Sequence, residues 1–155
     1  MEKESGMEEQ MNARYKYIFA EMLRMTDDGF IVVDANGIVT DVNDQYCDFL
    51  GKPKEEIVGY HIYKTISNSK MVDIVKRRYS EELALHKFAP GDTKEHDNNF
   101  VLVSRSCVCD EADRVVAGVA QVKFRLQTLD SAKRLMSEYA ELEFYKEEYH
   151  KTGDC

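Results

Sequence analysis

Long apolar runs are missing from this chain, and no stretch approaches the roughly 20 residues that a membrane-spanning helix requires. No secretory leader is expected either: the opening MEKESGMEEQ is acidic and polar where a secretory signal would be basic and then apolar. Positive charge is in deficit, since 29 Asp and Glu face 21 Lys and Arg, and a net charge of −8 argues against a nucleic-acid surface. These absences point to a soluble, cytoplasmic protein with no membrane contact and no direct nucleic-acid binding. Cysteine is sparse: Cys47, Cys107, Cys109 and Cys155 form no dense framework, so reduced thiols are expected. Cys107-x-Cys109 has no Cys-x-x-Cys pair to complete a ligand set, and the four His match no common spacing, which argues against a metal site. A phosphate-cradling Gly-rich loop, Gly-x-Ser-x-Gly and His-Glu-x-x-His are all absent. The acidic pairs Asp27-Asp28, Glu55-Glu56 and Glu81-Glu82 read as solvated charge at element edges, so no catalytic group is identified and the chain is not expected to be an enzyme.

What is present suits one domain with terminal helices: 155 residues, 43% hydrophobic, with nine Tyr and seven Phe to build a core. Residues 27–51, DDGFIVVDANGIVTDVNDQYCDFLG, carry the strongest local signal. Phe30–Asp34 and Ile38–Val42 are β-branched strands on either side of Ala35-Asn36-Gly37, where Asn and Gly tolerate the positive φ of a tight turn, so an antiparallel hairpin is predicted. Asn43 or Asp44 then caps a helix bearing Tyr46, Phe49 and Leu50, and Gly51 ends it.

Elsewhere the periodicity predicts further helices. Over residues 7–25, Met11, Tyr15, Ile18, Met22 and Met25 share one face, widened by Phe19 and Leu23; that face either packs on its own domain or pairs with a second subunit. Pro53 can start a short helix that Gly59 stops, residues 60–67 form a brief helical turn, and a longer helix runs from Asn68 or Ser69 to about Glu82. Leu83–Phe88 is a candidate third strand, and 89–98 is a loop. Phe100–Cys109 and Arg114–Phe124 are two long strands joined at Asp110–Asp113; Val101, Val103, Arg105 and Cys107 share one face of the first, and the pattern leaves open which face is inward. From Leu126 the pattern turns helical, with Ala132, Leu135, Tyr139, Leu142 and Tyr149 near three-four spacing, either a solvated amphipathic helix or a parallel dimer helix. The division is thus 1–26 amphipathic helix, 27–125 domain, 126–155 signalling helix, with no output domain recognisable before Cys155.

The 27–51 segment followed by PKEEIVG resembles the first half of a PAS domain, and NNFVLVSRSCVCDEADRVVAGVAQVKF resembles its two closing strands. More narrowly, ISNSKMVDIVK, an Arg in the next-to-last strand and a trailing LEFYKEEYHK resemble the N-terminal sensory PAS domain of sigma-54-dependent transcriptional activators. KRRYSEELALHKFAPGDTKEHD departs from that pattern by lacking a Gly-bearing turn. The resemblance implies an α+β fold: a five-stranded antiparallel sheet with short helices on one face, flanked by N- and C-terminal amphipathic helices. It implies a sensor that relays its state through a homodimer and the C-terminal helix to an output domain beyond this chain. Met11, Tyr15, Ile18, Met22, Leu135, Tyr139 and Leu142 are the expected dimer contacts. Alternatives are a ligand-free interaction module and the PAS sensor of a histidine kinase or cyclic-dinucleotide enzyme.

A small organic ligand would sit between sheet and helices. Its expected lining is Tyr46, Phe49, Leu50, Ile57, Ile66, Met71, Ile74, Val75, Val101, Val103, Arg105 and Val119. Heme would need an axial imidazole from His61, His86 or His96, and a lone His is more often structural; the NCRFLQ motif of cysteinyl-flavin sensors is absent, so heme and flavin are both disfavoured. Arg105 interrupts an apolar strand, where a buried guanidinium needs an anion. It either points outward or pairs with an acid such as Asp34 or Asp41, or it faces the pocket and binds a ligand's carboxylate or phosphate.

Overall fold

A computed structural model describes residues 2–94, 100–124 and 126–153. His96 and Cys155 lie outside these residues, and the side chains of Ala132 and Tyr149 are likewise outside the description. The chain divides after Phe124 into two compact units.

The first unit begins with α1 (Glu2–Met25), which starts earlier than the expected residue 7. β1 (Gly29–Val33) and β2 (Val39–Val42) follow as the antiparallel hairpin. Its turn is built differently from the expectation: Gly37 alone takes positive φ, at 84°, and the Asp34 carboxylate accepts from the amides of Asn36 (2.9 Å) and Ile38 (3.0 Å). Asp34 is therefore occupied in its own turn. α2 (Asp44–Leu50) is capped by Asn43, not Asp44, and Gly51 closes it at φ 73°.

Asn43 ties several elements together. Its Oδ1 accepts from the amides of Tyr46 (3.3 Å) and Phe30 (2.9 Å), and its Nδ2 donates to the carbonyls of Leu23 (3.0 Å) and Asp28 (2.9 Å). One buried amide thus satisfies the helix start, the first strand and the end of α1.

Two 3₁₀ turns, Lys54–Glu56 directly after Pro53 and Ile62–Lys64, lead to α3 (Met71–Arg77). The expected helix to Glu82 is cut short because Arg78 adopts φ 55° and its guanidinium donates to the backbone carbonyl (2.9 Å) and carboxylate (3.2 Å) of Asp113. That tertiary anchor overrides the helix-favouring Lys, Arg and Glu that follow Val75. Glu81 and Glu82 consequently belong to β3 (Glu81–Lys87), which starts two residues before the expected strand. β4 (Phe100–Cys109) and β5 (Val115–Lys123) form the far hairpin. The sheet order is β2-β1-β5-β4-β3, five strands, with each neighbouring pair antiparallel. It is an α+β fold, as the resemblance implied.

The helices cover one sheet face. On that face lie Val101, Val103 and Arg105 of β4, with Ala120 and Val122 of β5, all buried. The α3 side chains press so closely on β5 that a Cβ at Gly118 would stand 2.8 Å from Val75 Cγ1 and 3.0 Å from Met71 Cε. Here glycine is needed for room.

The second unit is a single helix, α4 (Leu126–Gly153), on which Leu135, Tyr139 and Leu142 are exposed. No helix among the described residues is long and apolar enough to cross a membrane.

Candidate functional site

Ten of the twelve expected lining residues, Tyr46, Phe49, Leu50, Ile57, Ile66, Met71, Ile74, Val75, Val101 and Val103, are packed together as the hydrophobic core or against it. Tyr46 meets Phe88 and Phe124 edge-on at 6.5 and 5.7 Å, and Phe49 stacks on Phe124 at 4.5 Å. Burial pushes the Tyr46 hydroxyl well above its ordinary pKa, so it stays neutral. Cys47 belongs to the same buried set, and its thiol is pushed up mainly by burial. The remaining two, Arg105 and Val119, border a different space. Val119 is on the outer face of the sheet, paired with Ser106, whereas Arg105 pairs with Ala120 on the inner face, so the shared wall expected for Val101, Val103, Arg105 and Val119 does not exist.

That space is a groove of about 510 Å³ on the outer face of the sheet, reaching from Phe30 and Val119 to the β3–β4 seam at Glu81, Leu83, Ser104 and Arg105. Its volume is in the range of small-molecule sites. At the seam the strands fall out of step. Between the pairs Glu81↔Arg105 and Ala84↔Val103, β3 advances three residues while β4 advances two, which is a β-bulge. Leu83 takes φ 48° there, and its amide donates to the Ser104 hydroxyl (3.1 Å).

The extra residue also changes which side chains meet. Glu81 and His86 are five apart and would face opposite sides of a regular strand. The bulge returns both to the inner face, one on either side of Arg105. Arg105 Nη1 donates to Glu81 Oε2 at 2.8 Å, and Nη2 lies 3.2 Å from His86 Nδ1. The partner of Arg105 is thus Glu81, in place of the suggested Asp34 or Asp41, and Glu81 is not simply solvated.

Arg105 is only 5% exposed and His86 6%, while the Glu81 side chain keeps 25%. Because a guanidinium only donates, His86 must accept through Nδ1, which leaves its proton on Nε2. Among the described residues Nε2 is buried without a hydrogen-bond partner. The His86 pKa is lowered to about 4, by burial first and then by the charges of Arg105 and Lys70, with Asp92 opposing. At neutral pH the cluster therefore holds one cation, one anion and a neutral imidazole, with N–H donors in excess of acceptors. Sequence reasoning missed Glu81 and His86 as partners of Arg105.

Of the other candidates, His61 Nδ1 accepts from the Tyr63 amide (3.1 Å), capping the second 3₁₀ turn. Among the described residues no three His, Cys, Asp or Glu are grouped as a metal site. Met11, Tyr15, Ile18 and Met22 are all exposed along α1.

Residues 17–88 match the family described as the PAS fold. Solved structures share the architecture at low identity. A chain of the E. coli DhaR(N)–DhaL complex superposes with TM-score 0.61 at 13% identity, covering 76% of this chain and 38% of its own. An RNA-binding light-oxygen-voltage receptor gives 0.59 at 14%, covering 86% and 39%. The PAS domain of Bordetella pertussis BvgS gives 0.55 at 14%, covering 81% and 98%. No curated protein matches in sequence. The chain spans about two fifths of the first two structures and nearly all of the third. Over residues 17–88 the chain is similar to the PAS family, and the solved structures share its fold.

Proposed function

We propose that this is the sensory PAS domain of a bacterial signal-transduction or transcription regulator, cytoplasmic and homodimeric, which binds a small ligand at the β3–β4 seam. The observation that carries the reading is Arg105, a buried cation of the inner face that borders a 510 Å³ groove, and whose neighbour His86, outside the groove lining, keeps a donor, Nε2, with no acceptor among the described residues. A core built for packing alone gains nothing from such a group, whereas a ligand with acceptor atoms would satisfy it. Ligand occupancy is relayed through α4 to an output domain following this chain, and the dimer forms through the exposed apolar residues of α1 and α4, Met11, Tyr15, Ile18, Met22, Leu135, Tyr139 and Leu142. Within that class, the likeness of ISNSKMVDIVK, Arg105 and LEFYKEEYHK to sigma-54 activators supports an ATPase acting on sigma-54 RNA polymerase as the recipient.

The test is native mass spectrometry and thermal shift against a library of small metabolites, followed by Arg105→Ala. A bound compound whose affinity falls at least about tenfold in that variant supports the reading, a loss of roughly 1.4 kcal/mol. Unchanged affinity removes Arg105 from the site. A second reading, a ligand-free dimerisation module, is favoured by the filled inner face at Gly118 and the Tyr46, Phe49, Phe88 and Phe124 cluster. It predicts no bound compound and a midpoint insensitive to the whole library.

A further inference from the structure

Glu81 occupies the place on Arg105 that an incoming carboxylate would take. We infer that the seam is a receptor for a small carboxylic acid, with Glu81 as a resident competitor, and that displacing Glu81 loosens the first residues of β3. The inference rests on the reading that Arg105 meets the ligand.

The two ends of the ion pair are unequal. Arg105 has 4% of its side chain exposed and Glu81 has 25%, so the cation is fixed in the wall while its anion borders solvent and the groove. Arg105 cannot shed its charge, and its burial therefore demands an anion at all times, either Glu81 or a substitute. The substitute must be a carboxylate in shape, because the protein already places a carboxylate oxygen 2.8 Å from Nη1. A doubly charged phosphate would leave one negative charge unmatched, since His86 beside it is neutral.

The backbone that carries Glu81 is weakly held. The regular pairing of β3 with β4 is broken between Glu81 and Ala84. Beside the ladder pair Glu81↔Arg105, the side-chain links there are the Arg105–Glu81 ion pair, the bond from the Leu83 amide to Ser104 Oγ, and a 3.4 Å contact between the Ser80 and Ser106 hydroxyls. Leu83 is strained at φ 48°, a conformation that side chains with a Cβ resist. Removing the ion pair leaves the single ladder pair at Glu81 and two hydroxyl-mediated links, so an acid on Arg105 converts occupancy into loosening of residues 80–83. β3 is the edge strand of the sheet. The loosened segment therefore bares part of the β4 edge, a surface other strands can pair with.

The experiment is chemical rescue of the full chain, reading the thermal midpoint in acetate against chloride at equal ionic strength. Glu81→Ala leaves Arg105 unpaired and opens room for acetate, the outer part of the missing side chain. Its midpoint should fall below wild type in chloride and rise by about 4 °C or more in 0.1 M acetate. Wild type should gain less than half as much, and Glu81→Ala with Arg105→Met should gain nothing. Glu81→Gln, which keeps the shape, is the readout if the alanine variant does not fold, and should bind succinate at least about fivefold more tightly than wild type. Amide exchange of residues 80–83 in wild type should accelerate at saturating succinate. If neither acetate nor succinate stabilises any of these proteins, both this inference and a ligand anion on Arg105 are overturned. Should the acids bind wild type and Glu81→Gln alike, with exchange at 80–83 unchanged, competition by Glu81 is overturned while a ligand at Arg105 stands.

Discussion

The centre of the sheet and its β3 edge solve the same packing problem in opposite ways. Where α3 lies on β5, the contact is apolar and so close that position 118 admits no Cβ without movement of Val75 or Met71. At the β3–β4 seam the ladder is interrupted, a cation is buried, and the pairing is carried in part by side chains. The first region holds its geometry through many small contacts, none of which can be exchanged for solvent. The second depends on a few directional bonds, each of which a ligand atom could replace. The proposed sensory role needs both, a frame that does not move and a seam that can.

The comparison breaks most readily from the packed side. Ile74 is fully buried under the sheet, and Ile74→Ala should lower unfolding free energy by about 3 to 4 kcal/mol in a urea titration. Gly118→Ala should cost about 2 kcal/mol by overpacking, with Met71→Ala in the same chain recovering part of that loss if the contact with Met71 Cε is its cause. An equal loss with and without the Met71 change would show that the frame is looser than the spacing implies.

The seam is tested by pH. The folded pKa of His86 is depressed from 6.5 to about 4, so the unfolded chain binds the proton first as pH falls. Stability from this residue is present above pH 6.5 and is lost between pH 6.5 and 4, amounting to about 2 kcal/mol between pH 7 and 4.5. His86→Gln should flatten that part of the profile; an unaltered profile would mean that His86 is not buried beside a cation. The smallest effect belongs to Leu83. With φ at 48° and its side chain half exposed, Leu83→Gly should raise stability by about 0.5 to 1 kcal/mol, the only gain in the series. A loss would place the strain elsewhere in the bulge.

Local interactions were legible without the structure. The β1–β2 hairpin, the Asn43 or Asp44 cap, the Gly51 stop and the bounds of β4 depend on neighbours within a few residues, so side-chain type and spacing suffice to read them. The end of α3 was not legible, because Asp113, 35 positions further along, pulls Arg78 out of the helix. Nor was the partner of Arg105. Glu81 and His86 lie at odd spacing in a strand, and alternation assigns them to opposite faces; the bulge reverses that parity and nothing in SEELALH announces it.

From the amino-acid sequence alone follow a PAS architecture, its opening hairpin and capped helix, and the presence of one anomalous cation in a closing strand. Those features are encoded in short-range pattern, which survives whatever the rest of the chain does. Which face Arg105 occupies and that Glu81 and His86 hold it were decided only by the register between β3 and β4. Register is a property of two strands together: one added residue in β3 moves every later side chain across the sheet, and only the fully paired sheet shows where it falls.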